Sequence, residues 1–174
     1  MQKTNIGNSM HMNGDQVRFV ASLGPVGPGR ITVNALDDTF AVSRLASVGD
    51  DSLERHFPTD SQVVGDHTLV AYIAREVGGD RDMLLNPYGA RLAVLDSSLG
   101  LVDDIAVGDG GFAHVHPTMA YLGDRLYVAW SKRSERGAPQ VQVECYKVSG
   151  VSREAIDIIG FRHVPGSAGI SLNF

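Results

Sequence analysis

Apolar and polar residues alternate along most of the chain, and the alternation breaks three times in the same way. An apolar run leads to a Gly-Asp pair, and a second apolar run follows it. The clearest copy lies between His116 and Trp130, where Thr118-Met119-Ala120-Tyr121-Leu122 precedes Gly123-Asp124 and Leu126-Tyr127-Val128-Ala129-Trp130 follows. A period of two predicts half-buried strands, and glycine at the first central position of a two-residue loop suits a type II′ turn, whose twist matches an antiparallel hairpin. Val63-Val64-Gly65-Asp66 before Leu69-Val70-Ala71-Tyr72 is a second copy, and Met12-Asn13-Gly14-Asp15 before Phe19-Val20-Ala21-Ser22 is a third. The corners are 51 residues apart from Gly14 to Gly65 and 58 from Gly65 to Gly123. That period belongs to propeller blades and kelch units rather than to solenoids of twenty to thirty residues.

Around each corner the pattern predicts four strands: 9–12, 17–22, 30–36 and 40–48 in the first repeat, 61–64, 68–74, 90–95 and 101–107 in the second, and 118–122, 126–131, 141–148 and 155–159 in the third. Turn residues separate them, among them the Gly/Pro-rich segment 24–29, the pair Asp37-Asp38 and the run Asp96-Ser97-Ser98-Leu99-Gly100, while Asp38, Asp103 and Asp104 read as turn formers on the outer rim rather than as catalytic carboxylates. No helical period persists over ten residues. Four strands joined by short loops make an up-and-down antiparallel sheet, and such sheets set radially are propeller blades. The fold class expected is therefore all-β: one domain over 1–174, the three-bladed half of a β-propeller, with blades at 8–50, 57–109 and 116–160 and a tail strand at 168–174. A blade buries its faces only against neighbours, so an open stack of three leaves two flanks uncovered. A homodimer closing a six-bladed ring is the simplest completion, with the tail strand clasping the partner's first blade. A tail folding back on 17–22 of its own chain, or a longer propeller from which this stretch is cut, would also cover a flank.

Composition narrows the partners. Hydrophobic residues are 43% and charged residues 20%, with 20 glycines, which describes a turn-rich globular chain. A net charge of −5 without any Lys/Arg cluster excludes nucleic acid as a general partner. Cys145 stands alone, so no internal disulfide can form. The first dozen residues lack the apolar core of a signal peptide, and no run nears the ~20 apolar residues of a membrane span. None of this names a compartment.

Tyr88-Gly89-Ala90-Arg91-Leu92, then Asp96-Ser97-Ser98-Leu99-Gly100-Leu101-Val102-Asp103, then the hairpin from Pro117 to Trp130, together resemble the tandem blades of sialidase-like β-propellers of bacterial proteins. In those, an Ile-Tyr-Gly-Ala-Arg strand, an Asp/Gly hairpin and a Pro…Gly-Asp…Val-Trp hairpin recur. The resemblance covers 57–160 and implies the fold, because such blades serve lectins, glycosidases and scaffolds alike. Residues 96–102 are not a full Asp box, and no sialidase arginine motif is present.

Candidate chemistry gathers where the chain enters each innermost strand. His56, His114, His116 and His163 all lie a few residues past a Gly that ends an outer strand, next to Asp50 and Asp109. These six are the candidate ligand-binding set. Imidazoles with a carboxylate suit a divalent ion such as Zn²⁺, although the spacing matches no zinc signature, and turn capping is the plainer role. No cofactor is implied. Asp50, Asp51, Asp60 and Asp109 are the carboxylates from which a glycosidase pair would be drawn. Tyr72, Tyr127 and Trp130 suit blade packing better than sugar stacking. Cys145 reads as an inert thiol, and Ser167 precedes a strand rather than the helix a nucleophile elbow requires. The expected function is a non-enzymatic binding or scaffold module taking a glycan or small polar ligand at the channel mouth. The alternative is a glycosidase-type hydrolase or lyase using the mouth His and Asp residues.

Overall fold

A computed structural model of the chain describes residues 4–13, 16–23, 30–48, 53–76, 88–108, 113–132, 140–149 and 157–163. All twelve elements are strands: β1 (Thr4–Asn13), β2 (Gln16–Leu23), β3 (Arg30–Leu36), β4 (Val42–Val48), β5 (Leu53–Val64), β6 (His67–Glu76), β7 (Gly89–Leu95), β8 (Leu101–Val107), β9 (Ala113–Leu122), β10 (Arg125–Lys132), β11 (Gln140–Ser149) and β12 (Asp157–His163). They form three four-stranded antiparallel sheets in sequence order, β1-β2-β3-β4, β5-β6-β7-β8 and β9-β10-β11-β12. The fold is all-β, as the alternation predicts. No helix among the described residues is long and apolar enough to cross a membrane.

The Gly-Asp corners turn as expected. Val64 pairs with His67 and Leu122 with Arg125 across two-residue loops. Gly65 and Gly123 have φ of 60° and 65°, while Asp66 and Asp124 keep negative φ, which suits the type II′ turn. A second repeated corner joins β3 to β4 and β7 to β8. Asp37 Oδ1 accepts from the Thr39 amide at 2.9 Å and the Ala41 amide at 2.8 Å, and Asp96 Oδ1 accepts from the Ser98 and Gly100 amides, both at 2.8 Å. Phe40 and Leu99 occupy the same left-handed position in the two loops, with φ of 61° and 64°. The hydrogen bond from the Thr39 hydroxyl, then that from the Ala41 amide, holds the Asp37 carboxyl below its ordinary pKa. Asp37 is thus a turn former, as expected. Asp96 closes the corner of the second sheet, also as expected, whereas Asp103 and Asp104 are not turn formers, because both lie within β8.

The sheets pack face to face, and alternation decides which side chain faces which neighbour. Val20, Ile31, Val33 and Val48 of the first sheet meet Val70, Tyr72, Ala74, Ala93 and Leu95 of the second. The opposite face of the second sheet, with Val64, Leu69, Ala71, Ile73 and Leu92, meets Met119, Leu126, Val128, Trp130 and Tyr146 of the third. Tyr72 and Trp130 therefore serve packing. The sheets approach most closely through their first strands: β5 packs against β1, β2 and β3, and β9 against β5, β6 and β7. Three up-and-down sheets fanned about their first strands are consecutive propeller blades.

Strand limits differ from the expectation mainly at the innermost strands. β1, β5 and β9 begin five to eight residues earlier than the apolar alternation does. Their polar first halves pair with the neighbouring strand through the backbone. Gly160, expected to close the third repeat, is instead the unpaired residue of a bulge in β12, between Ile159 opposite Lys147 and Phe161 opposite Tyr146.

Candidate functional site

Each innermost strand carries an irregularity at the same height. In β1 the register shifts between Ile6 and Met10, in β5 between His56 and Asp60, and in β9 between Ala113 and Thr118. Bulges bend a strand and re-aim side chains, and they gather at barrel rims and beside active sites. The three irregularities thus recur at corresponding positions of the three innermost strands.

The candidate histidines fall on or beside these bulges. His56 pairs with Ile73 directly before the first break in β5, and His114 and His116 lie in the broken stretch of β9. The expected lead-in loops are strand, because the polar residues there find backbone partners in β6 and β10. His163 ends β12, opposite Glu144. Through Glu144 and Val128 it stands level with Met119 in the middle of the sheet, not with His114 or His116, and three strand spacings out from β9, about 14 Å. The side chains of these four histidines, together with Asp50, Asp51, Asp109, Ser167, the 24–29 loop and the tail strand 168–174, lie outside the described residues. Among the described residues, no three His, Cys, Asp or Glu side chains converge as metal ligands.

Asp60 is the one catalytic carboxylate candidate whose surroundings are described, and it works as a stitch. The double bulge in β5 turns Thr59, Asp60 and Gln62 onto the backbone of β9. Asp60 Oδ2 accepts from the Met119 amide at 2.7 Å and the Thr118 hydroxyl at 2.9 Å, while Oδ1 accepts from the Ser61 amide at 2.8 Å. The Gln62 amide donates to the Met119 carbonyl at 3.0 Å, and the Thr59 hydroxyl donates to the carbonyls of Pro117 and Ala71. Side chains thus do between blades what backbone groups do within a sheet. With both oxygens engaged by donors of the protein itself, Asp60 is not placed to protonate a leaving group. Thr59 and Gln62 carry no sequence signal for this task; only the bulge reveals it.

Two further polar clusters lie between strands. Glu144, buried in β11, accepts from the Gly108 amide at 3.0 Å and from the Tyr146 hydroxyl at 2.7 Å, tying the exit of the second sheet to the third. Burial first, then the hydrogen bond to Glu144 and the charge of its carboxylate, push the Tyr146 phenol well above the usual tyrosine range. A phenol whose pKa is higher folded than unfolded contributes stability that is intact below the unfolded value of ~10 and is lost as pH rises past it. The expected result is a loss of about 1.4 kcal/mol per pH unit above pH ~10 that Tyr146→Phe removes. Urea midpoints between pH 9 and 11 check this, and equal slopes for the two proteins would refute it. The second cluster, Tyr72, Arg91 and Asp104, lies on the face of the second sheet toward the first. His67, outside the rim set, is fully buried at the start of β6 with neither ring nitrogen hydrogen-bonded.

No protein-family profile matches the chain, and no curated protein matches it in sequence. Among solved structures it is similar to the glycoside hydrolase family 32 β-fructofuranosidase BmSUC1 of Bombyx mori, with a TM-score of 0.54 and 16% identity over 95% of this chain and 39% of that one. It is likewise similar to a point mutant of that enzyme in complex with sucrose, with a TM-score of 0.52 and 18% identity over 94% of this chain and 35% of that one. This chain thus spans well under half the length of these relatives in fold. At such identity the likeness concerns the fold alone, and that fold is a five-bladed β-propeller. The repeated sheets, the packing through first strands and this likeness agree that the chain is a run of three β-propeller blades.

Proposed function

We propose that these blades form a non-enzymatic binding module that takes a glycan at the axial rim, next to His56, His114 and His116. The observation that carries this reading is the structural likeness to a β-fructofuranosidase, one form of which holds sucrose. The sialidase-like blade pattern over 57–160 supports a sugar ligand by analogy. Binding is favoured over catalysis by Asp60. Glycoside hydrolysis requires two carboxyl groups free to work on the sugar, and Asp60 instead accepts three hydrogen bonds, two of which join blades. The likeness to a hydrolase is also what favours the second reading, a glycosidase using Asp50 or Asp109.

One experiment separates them. Sucrose and fructo-oligosaccharides are titrated by calorimetry while released reducing sugar is assayed in the same samples. Binding without release is expected, weakened about tenfold by His56→Ala or His116→Ala with the melting temperature unchanged. Steady release of reducing sugar would establish the hydrolase reading instead. An absence of binding here and on a glycan array would remove the sugar and leave a scaffold.

A further inference from the structure

Glu144 of β11 is 2% exposed, and the donors described for it, the Gly108 amide at 3.0 Å and the Tyr146 hydroxyl at 2.7 Å, are neutral and both meet Oε2. A buried carboxylate calls for a compensating positive charge. The ladder of the third sheet points to where that charge stands. His163 is directly opposite Glu144, and residues so paired in an antiparallel ladder share one face with Cβ atoms about 4.5–5.5 Å apart. That face is the one packed against the second sheet, since Val128, opposite Glu144 on the other side, lies in the cluster between the two sheets. Arg162 is opposite Cys145 and so belongs to the reverse face. Lys132 shares the face of Glu144 but is opposite Gln140, four residues away along β11, or about 13 Å. His163 is the basic residue in the row of Glu144.

We propose that His163 is the counter-charge of Glu144 and that the two form a pH-sensitive latch between the second and third blades. With the imidazole protonated, Glu144 keeps its grip on the Gly108 amide at the exit of the second sheet. Loss of that proton strands the carboxylate and loosens the contact. Histidine is the side chain whose charge ordinarily changes between pH ~5 and ~8, and a carboxylate within ~4–6 Å favours its charged form. A group that holds its proton more tightly folded than unfolded adds stability that is whole below the unfolded pKa of ~6.5 and is lost as pH rises through the folded one. Around the pair, β11 contributes Tyr146, β10 Lys132 and β8 Asp103, which is opposite Val94 on the side toward the third sheet. The inner strands β5 and β6 hold His56, His67 and Arg75 on that side of the second sheet. The latch gives His163 a task apart from the histidines of the β9 bulge, from which the ladder separates it.

Proton NMR of the full chain tests the charge. The imidazole C2 proton signals are followed from pH ~5 to ~9, and the signal missing from His163→Gln is that of His163. Its midpoint is expected about one pH unit or more above ~6.5, a proton held at least about tenfold more tightly, and Glu144→Gln should return it to ~6.5. Glutamine keeps an oxygen for the Gly108 amide, so the ladder and the tie survive that change. Urea midpoints at pH ~6 and ~8.5 test the latch: the parent should lose stability at the higher pH, and His163→Gln and Glu144→Gln should not. A parent midpoint at or below ~6.5 overturns the proposal, and so does a raised midpoint that Glu144→Gln leaves in place. A parent equally stable at both pH values overturns the latch. The titration of the parent carries the test by itself if a variant fails to fold.

Discussion

Gly108→Ala is expected to destabilise the fold by about 3 kcal/mol, a fall of about 9 °C in melting temperature for a chain of this size. Gly108 follows β8 with φ of +81°, and a Cβ there would stand 2.7 Å from Cζ2 of Trp130. An L side chain in the left-handed region costs about 1–2 kcal/mol, and forcing the indole aside in a packed core costs about 1–3 kcal/mol more. The indole cannot move freely, because Trp130 is buried in the cluster between the second and third sheets. Gly123→Ala separates the two costs. Gly123 also has positive φ, +65°, but nothing lies within 4 Å of its Cβ position, so only the backbone cost of about 1 kcal/mol is expected there. A second check is Trp130→Leu, which opens space at Gly108. Denaturant midpoints of the pair should then be non-additive, with the double variant more stable than the sum of the singles. Equal losses for Gly108→Ala and Gly123→Ala would mean that the indole is not the obstacle.

The second large effect is expected at the network on the face of the second sheet turned toward the first. The Tyr72 hydroxyl donates to the Asp104 carboxylate, with both oxygens at 2.5–2.6 Å, and Arg91 Nε donates to Asp104 Oδ1 at 2.9 Å. The Arg91 and Asp104 side chains are 25% and 16% exposed, so the pair is screened only in part. Removing one member of a buried pair costs more than the pair is worth, because the remaining charge loses its compensation. Arg91→Met keeps the aliphatic stem and strips that compensation, for an expected loss of about 2–3 kcal/mol. Tyr72→Phe removes a single hydroxyl and should cost about 1–2 kcal/mol. A double-mutant cycle on Tyr72→Phe and Arg91→Met should return a coupling of about 1 kcal/mol. Strict additivity would show that Asp104 is held by each partner independently. These bonds join side chains on one face of the second sheet and leave its backbone ladder in place, so the cost should appear as lower stability with little change in strand content by circular dichroism.

Much of the architecture was legible in the order of residues. The Gly-Asp corners, the alternation around them and the roughly fifty-residue period determine strands, hairpins and a repeat, because side-chain period and turn geometry are local properties. Asp37 read correctly for the same reason, since it closes a turn on its own neighbours. The first halves of β1, β5 and β9 were not legible. Polar residues there carry no apolar period, and their strand character comes from the backbone of the neighbouring strand.

Sequence alone thus determined the repeated unit, since that unit is written in neighbours one to four residues apart. Only the tertiary structure decided what the polar residues do. Asp60 looks like a catalytic carboxylate until Thr118 and Met119, some sixty residues away, are found bonded to it. Asp104 looks like a turn former until Tyr72 and Arg91 are found against it. Hydrogen bonds and burial depend on what lies opposite in space, and no spacing along a chain encodes which strand of another sheet will lie there.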